Sequence, residues 1–453
     1  MNFGAAWLRA VLEEHLPAAA TGLVVAVSGG ADSACLLAAL AQGGAPAPRG
    51  LKLRAVHVDH GLQPASAAFR EASIALCRRW HMPLSVITVR VETGGGVSIE
   101  AAARDARYGG LARALAPGEC LLTAHHSQDQ AETLLLQLLR GAGVKGLSAM
   151  PMCRPLGSGW HVRPLLDVAR RDLREFGETH GVAVADDPMN HDPRFDRSYL
   201  RSHVWPLIER RWPGAAGTLS RTARHLAETS ELLDQSASRR VQRLRDGDAL
   251  SVTGLRGLPP LEQINALRHW LFSAAVTPPP ASRLTEALRQ VFAADADHLP
   301  AIVWGSYALR RYRERLFITP ATVPSLGARR EWLGPRACAQ LPGSSLDLGP
   351  GLGRLRWAPQ LGGLDASRLP DTVSVRQRRG GETIKPGRRA KTQTVQHLCQ
   401  RLGVLPWMRD VLPMVYADEW LIAIGDLWQD ARFCVAADAP GVGCHWDDAP
   451  MIV

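Results

Sequence analysis

Between Leu23 and about His180, short apolar runs alternate with amphipathic stretches along the chain. Leu23–Val27, Leu53–Val58, Leu84–Val91 and Cys120–His125 are near-continuous apolar runs, the pattern of strands covered on both faces. Between and after them, Ser33–Ala41, Ala67–Trp80, Ile99–Leu115 and Gln130–Arg140 repeat apolar residues at helical spacing. The alternation predicts an α/β domain built on a doubly wound parallel sheet. In such a sheet, function gathers at the carboxyl ends of the strands.

After Trp212-Pro213-Gly214 the texture changes. Thr218–Leu244, Leu261–Ala275 and Ser282–Ala294 carry helical patterns and predict a small helical domain, with Pro278-Pro279-Pro280 as a rigid break within it. From Leu316 to about Pro370 proline and glycine dominate, and the short stretches around Leu346 and Leu355 predict strands of a mixed α+β carboxyl-terminal domain. The boundaries expected are 1–214, 215–320 and 321–453, since 453 residues exceed what one core organises.

Composition narrows the class. No apolar run approaches the roughly 18 residues of a membrane span, and Arg9, Glu13 and Glu14 interrupt the amino-terminal stretch, so no membrane partner and a cytoplasmic location are expected. The eight cysteines (35, 77, 120, 153, 338, 399, 434 and 444) include no C-x-x-C pair, the spacing that a zinc knuckle or a redox dithiol uses. The net charge of +10 implies attraction to polyanions. Basic residues concentrate in two stretches: seven arginines against three acids from Asp192 to Arg224, and eight Lys or Arg against two acids from Asp371 to Leu402. From these stretches Arg194, Arg197, Arg201, Arg376, Arg378, Arg388 and Lys391 are candidates for nucleic-acid phosphate contacts.

The sharpest chemical signal is Ser28-Gly29-Gly30-Ala31-Asp32-Ser33, which lies between a predicted strand and a predicted helix. Glycines let the backbone turn tightly and approach an anion, the helix start offers free N–H groups, and Ser28 and Ser33 add hydroxyls. No Gly-Lys follows the turn, so this is not a Walker loop. His57-Val58-Asp59-His60 ends the next predicted strand and faces the same crevice. His125-His126 ends another strand, and the helix after it carries Asp129 and Glu132 on one face, placed to hold magnesium, an amine, or both. Upstream, Arg107 is positioned to clamp phosphate or substrate, although helix-surface pairing also accounts for arginines there.

With these residues in view, the chain resembles the tRNA isoleucine lysidine synthetase family of the N-type ATP pyrophosphatases, the PP-loop superfamily. The strings that carry the likeness are SGGADS, VHVDHGL, IEAAARDARY, TAHHSQDQAET, LRGAGVKGLSAM, RPLL and the long DDPMNHDPRFDRSYLRSHVWPLIERRWPG. WGSYALRRYRERLFI and the stretch from VSVRQRRGGETI to WLIAIGDLW extend it over most of the chain. The resemblance implies an adenine nucleotide alpha hydrolase-like fold and the cofactors ATP and Mg²⁺. ATP adenylates the cytidine at the first position of the CAU anticodon of tRNA(Ile), and free L-lysine then displaces AMP.

On this reading Asp32, Arg107, His126, Asp129 and Glu132 are catalytic. Residues Ser28, Gly29, Gly30, Ala31, Asp32 and Ser33, with His57, hold the nucleotide, and Asp32 and Asp129 hold the metal. The arginine and lysine candidates become tRNA contacts. In this family two aspartates often stand where this chain has Gln128-Asp129. A tRNA thiolation enzyme of the same superfamily is the nearest alternative, but such enzymes usually need paired cysteines. A non-catalytic tRNA-binding protein is the other, and the sequence leaves a homodimer open.

Overall fold

A computed structural model describes residues 3–42, 48–59, 66–91, 99–182, 195–294, 300–338 and 345–452. The chain divides into two compact units, 1–234 and 235–453. In the first, α1 (Ala5–His15) precedes β1 (Gly22–Ala26), α2 (Ala31–Ala41), β2 (Lys52–Asp59), α3 (Ser66–Arg79), β3 (Leu84–Thr88), α4 (Ile99–Ala114) and β4 (Glu119–Leu122). Then come α5 (Ser127–Leu139), α6 (Val144–Leu147), β5 (Cys153–Leu156), β6 (Gly159–Val162), α7 (Arg170–Thr179) and α8 (Asp196–Tyr199). The sheet order is β3-β2-β1-β4-β6-β5, parallel throughout except for β5, which returns antiparallel to β6. The order in which strands are added reverses between the parallel neighbours β1 and β4, so the crevice expected of a doubly wound sheet opens at their carboxyl ends.

The side chains of β1 show why its run is apolar without alternation. Leu23 and Val25 enter a core shared with Leu8, Leu36 and Leu173, while Val24 enters a second core with Val56, Leu111 and Leu121. Each face is covered, so each position favours an apolar residue. β3 departs from the expectation of a strand buried on both faces: Ser85, Val86 and Thr88 are exposed, because this strand forms the edge of the sheet. The β5–β6 hairpin is an element that period reading did not find, because its strands are only four residues each. Gly159 admits it to the sheet, since a Cβ there would lie 2.1 Å from the Glu119 carbonyl oxygen.

In the second unit the expected helices are present at Pro260–Ser273 and Ala281–Ala293. Packed with them is a five-stranded antiparallel sheet that helical spacing did not reveal, including Ala301–Trp304, Tyr307–Tyr312 and Arg315–Pro320. Leu250, Leu309 and Leu316 of this sheet share a core with Trp270, Leu271 and Val291 of the helices. The carboxyl-terminal part is rich in β-structure, around Val373, Val375, Leu398, Val415, Ile422 and Trp446. Among the described residues no helix is long and apolar enough to cross a membrane.

Candidate active site

The turn between β1 and α2 is shaped by its glycines and braced by its serines. Gly29 has φ +84°, and a Cβ there would meet the Phe69 carbonyl oxygen at 2.9 Å, so only glycine fits without strain. Ser33 accepts from the Ser28 N–H at 3.2 Å and donates to the Gly30 carbonyl at 2.9 Å. Its hydroxyl hydrogen therefore closes the turn and is not free for a ligand. Gly30 caps α2, and among the described residues the N–H groups of Ala31, Asp32 and Ser33 have no carbonyl partner. Such a helix start is a ready anion cradle.

His57 faces inward. Its Nδ1 lies 2.8 Å from the Val27 carbonyl, an acceptor only, so the proton sits on Nδ1. The Ser73 hydroxyl, 3.0 Å away, gives its own hydrogen to the Phe69 carbonyl and so accepts from the same Nδ1–H. Burial pulls the pKa of His57 down and keeps it neutral. It anchors the residue that leads into the turn.

His126 joins the turn to α5. Its Nε2 lies 3.6 Å from Asp32 Oδ2 and 3.5 Å from Asp129 Oδ2, and its backbone N–H donates to Asp129 Oδ2 at 3.0 Å. Burial alone would depress its pKa, but the two carboxylates outweigh burial and raise it. Asp129 moves the opposite way: burial pushes it up, yet His126 and Arg197 and then Arg201 bring it well below the usual carboxylate range.

Asp129 and Glu132 share one face of α5, and two arginines four residues apart, Arg197 and Arg201, close over them. Arg197 reaches Asp129 Oδ1 and Glu132 Oε2, both at 3.0 Å. Arg201 reaches Asp129 Oδ1 at 2.9 Å and the two oxygens of Glu132 at 2.9 and 2.7 Å. Gln128 adds a donor to Glu132 Oε1 at 3.1 Å. Counting His126, each of the four carboxylate oxygens faces two donors. Beyond the quartet the charge is one-sided. Arg104, Arg107 and Arg154 surround the Tyr108 ring at 5.1 to 5.6 Å, and Arg107 has no carboxylate partner among the described residues. Burial lowers its pKa, and its neighbours Arg104 and Arg197 lower it further.

Residues 6–208 match the PP-loop domain family, 250–317 the TilS substrate binding domain and 373–446 the TilS substrate C-terminal domain. A tRNA(Ile)-lysidine synthase of Alkalilimnicola ehrlichii is 39% identical over 91% of this chain and 91% of its own length. Relatives of the same description from Methylococcus capsulatus and Coxiella burnetii are 35% and 36% identical, each over 93% of this chain and over 95% and 91% of their own lengths. The chain belongs to the tRNA(Ile)-lysidine synthase family.

Within this family member, the structure brings Asp32, His126, Asp129 and Glu132 into one cluster. It gives several residues partners other than those expected. Arg197 and Arg201, expected on tRNA phosphates, turn their guanidinium groups onto Asp129 and Glu132, because two buried carboxylates demand charged donors. Asp129, expected on a metal, has both oxygens engaged, and no cluster of three or more possible metal ligands occurs among the described residues. Arg376 lies over the Tyr416 ring at 3.8 Å and Arg378 beside Glu382, whereas Arg388 and Lys391 are exposed. His60 and Arg194 lie outside the described residues.

The reading from sequence did not single out Thr123, His161 or Arg163 as functional. All three are buried at the carboxyl ends of β4 and β6, where Thr123 N–H donates to the Val162 carbonyl. The strand-end rule would have reached His161 and Arg163 had the short β6 been recognised.

Proposed function

We propose that this chain ligates free L-lysine to C2 of the cytidine at the first anticodon position of tRNA(Ile) with a CAU anticodon, releasing AMP and pyrophosphate. One observation carries the reading: the glycine turn leaves the N–H groups of Ala31, Asp32 and Ser33 open, and His126 ties that turn to the Asp129–Glu132 face of α5. That is a cradle for the pyrophosphate end of ATP. In the first step the cytosine O2 attacks the α-phosphorus, and the bond to pyrophosphate breaks. In the second the lysine ε-amine attacks C2, and AMP departs with the oxygen. Magnesium, when bound, neutralises charge on the departing pyrophosphate. Asp32, whose carboxylate is partly exposed, would hold it together with phosphate oxygens.

Lysine must react as the neutral amine, although its ordinary pKa is about 10.4. Both oxygens of Glu132 and Oδ1 of Asp129 each accept two donors, and Asp129 Oδ2 takes the His126 N–H with the His126 ring at 3.5 Å, so these carboxylates have little left to offer the ammonium. Arg107, whose charge no carboxylate offsets among the described residues, instead favours loss of the amine's proton to solvent by like-charge repulsion. The parts from 215 to 320 and from 321 to 453 serve tRNA recognition, because tRNAs that share an anticodon must be told apart by contacts beyond the target base. Lys391 is exposed and available to phosphates, as is Arg388 apart from the amino group that donates to the Cys434 carbonyl at 3.2 Å. The cysteines give thiolation no support: burial pushes Cys35 up to about 12 and Cys120 up to about 11, where thiols stay protonated.

The test is purified protein with ATP, labelled lysine and tRNA carrying a CAU anticodon. Lysine-dependent labelling of the tRNA with stoichiometric AMP release is expected. AMP release with sulfur incorporation and no lysine uptake would overturn the reading.

A further inference from the structure

Four buried or half-buried polar groups beside the proposed reaction centre form a single line. Arg163 Nη2 lies 3.0 Å from His161 Nδ1, His161 Nε2 lies 2.8 Å from Thr123 Oγ1, and Thr123 Oγ1 lies 2.8 Å from His125 Nδ1. The end of this line decides the direction of every bond in it. A guanidinium has no acceptor, so Arg163 donates and His161 Nδ1 carries no proton. Neutral His161 then holds its proton on Nε2 and donates to Thr123. The hydroxyl has one hydrogen, and among the described residues its one acceptor besides the already protonated His161 Nε2 is His125 Nδ1, so it gives that hydrogen there. His125 is left with its proton on Nε2, which has no partner among the described residues.

We infer that Arg163, His161 and Thr123 are positioning residues that lock His125 as a neutral Nε2–H donor toward an acceptor oxygen of the bound reactants. The inference rests on the ligase reading and adds a residue to it. A charged imidazole would donate from both nitrogens, whereas His125 Nδ1 faces the hydroxyl hydrogen of Thr123 and must accept it. Burial agrees, pulling His125 down to about 3 and His161 to about 2, with Arg163 contributing to both. Arg163 is itself lowered by burial to about 10 and so stays charged at neutral pH. Its other amino group donates to the Pro151 carbonyl at 2.6 Å, which fixes the fork in place.

The outcome is a division of labour between adjacent residues. His126, between Asp32 and Asp129, is held toward the charged form, whereas His125 is held neutral. A fixed N–H donor in a site of positive potential suits oxygen that gains negative charge as a bond to it forms or breaks, and it cannot act as the proton acceptor. The acceptor class is thus an oxygen of the pyrimidine or of its adenylyl group, not the lysine amine.

Thr123→Val keeps the shape and removes the hydroxyl, and Thr123→Ser keeps the hydroxyl and removes a methyl. In the full chain, kcat for lysine ligation should fall at least about tenfold in Thr123→Val with KM for ATP little changed, and Thr123→Ser should recover most of the loss. Two-bond ¹H–¹⁵N spectra of ¹⁵N-histidine protein report the tautomers directly. His125 and His161 should both be Nε2–H in the parent, and His125 should lose that single tautomer in Thr123→Val only. A parent His125 protonated on Nδ1, or equal loss of kcat in the two variants, would overturn the inference. If the parent shows the predicted tautomers but no lysine-dependent AMP release, it is the ligase reading that fails, because the spectra need no substrate.

Discussion

The imidazole of His126 stands 3.6 Å from the carboxylate of Asp32, and this contact fastens the glycine turn after β1 to the amino end of α5. With Asp129 on its other side at 3.5 Å, His126 is buried between two carboxylates that favour its charged form. Neither sequence neighbour could supply this arrangement, because the two acids lie on different helices.

The raised pKa of His126 gives stability a definite pH dependence. Because the folded value lies above the unfolded one, the stabilisation is complete below the unfolded pKa of about 6.5 and fades as pH rises through the folded value. Urea unfolding of the parent and of His126→Gln should differ most near pH 6, and the gap should narrow toward pH 9. A gap that stays constant over that range would mean that His126 carries no charge.

Glu132 is fully buried and holds two guanidinium groups. Glu132→Gln leaves Arg197 and Arg201 under-compensated in a desolvated place, and a loss of about 3 to 5 kcal/mol is expected. Chemical denaturation followed in the amino-terminal unit measures it. A loss below about 1 kcal/mol would indicate a solvated, exchangeable pair.

At Gly29 a methyl group would meet Phe69 backbone and oppose a φ of +84°. Gly29→Ala is expected to distort the turn at a cost of about 1 to 3 kcal/mol and to weaken ATP binding more than it weakens tRNA binding. Calorimetric titration with ATP beside filter binding with tRNA separates the two. Unchanged ATP affinity would remove the turn from the nucleotide site.

Exposed and packed basic residues of the carboxyl-terminal region should behave differently toward RNA. Lys391→Ala should lower tRNA affinity and reduce the salt slope by about 1. Arg376 lies against Tyr416 at 3.8 Å, so Arg376→Ala should lower the melting temperature with a smaller change of salt slope. Binding isotherms at several salt concentrations, with melting curves for each variant, distinguish these outcomes.

What the sequence by itself determined is the part governed by local pattern. The near-continuous apolar runs of Leu23–Val27 and Cys120–His125 announced strands covered on both sides. The SGGADS string announced a glycine turn between strand and helix, and the three-residue spacing of Asp129 and Glu132 put both acids on one face. The five-stranded sheet around Tyr307–Tyr312 and the β5–β6 hairpin escaped, because strands of four to six residues beside strong helical segments carry little periodic signal.

Only the tertiary structure decided how charges and protons are shared. Arg197 lies 65 positions from Glu132 in sequence, and Arg163 acts on His125 through two intermediaries, so spacing along the chain holds no record of either relation. Hydrogen-bond direction is a property of groups brought within about 3 Å of one another. It exists only once the sheet has set β4 beside β6 and α5 has been closed over by the arginines.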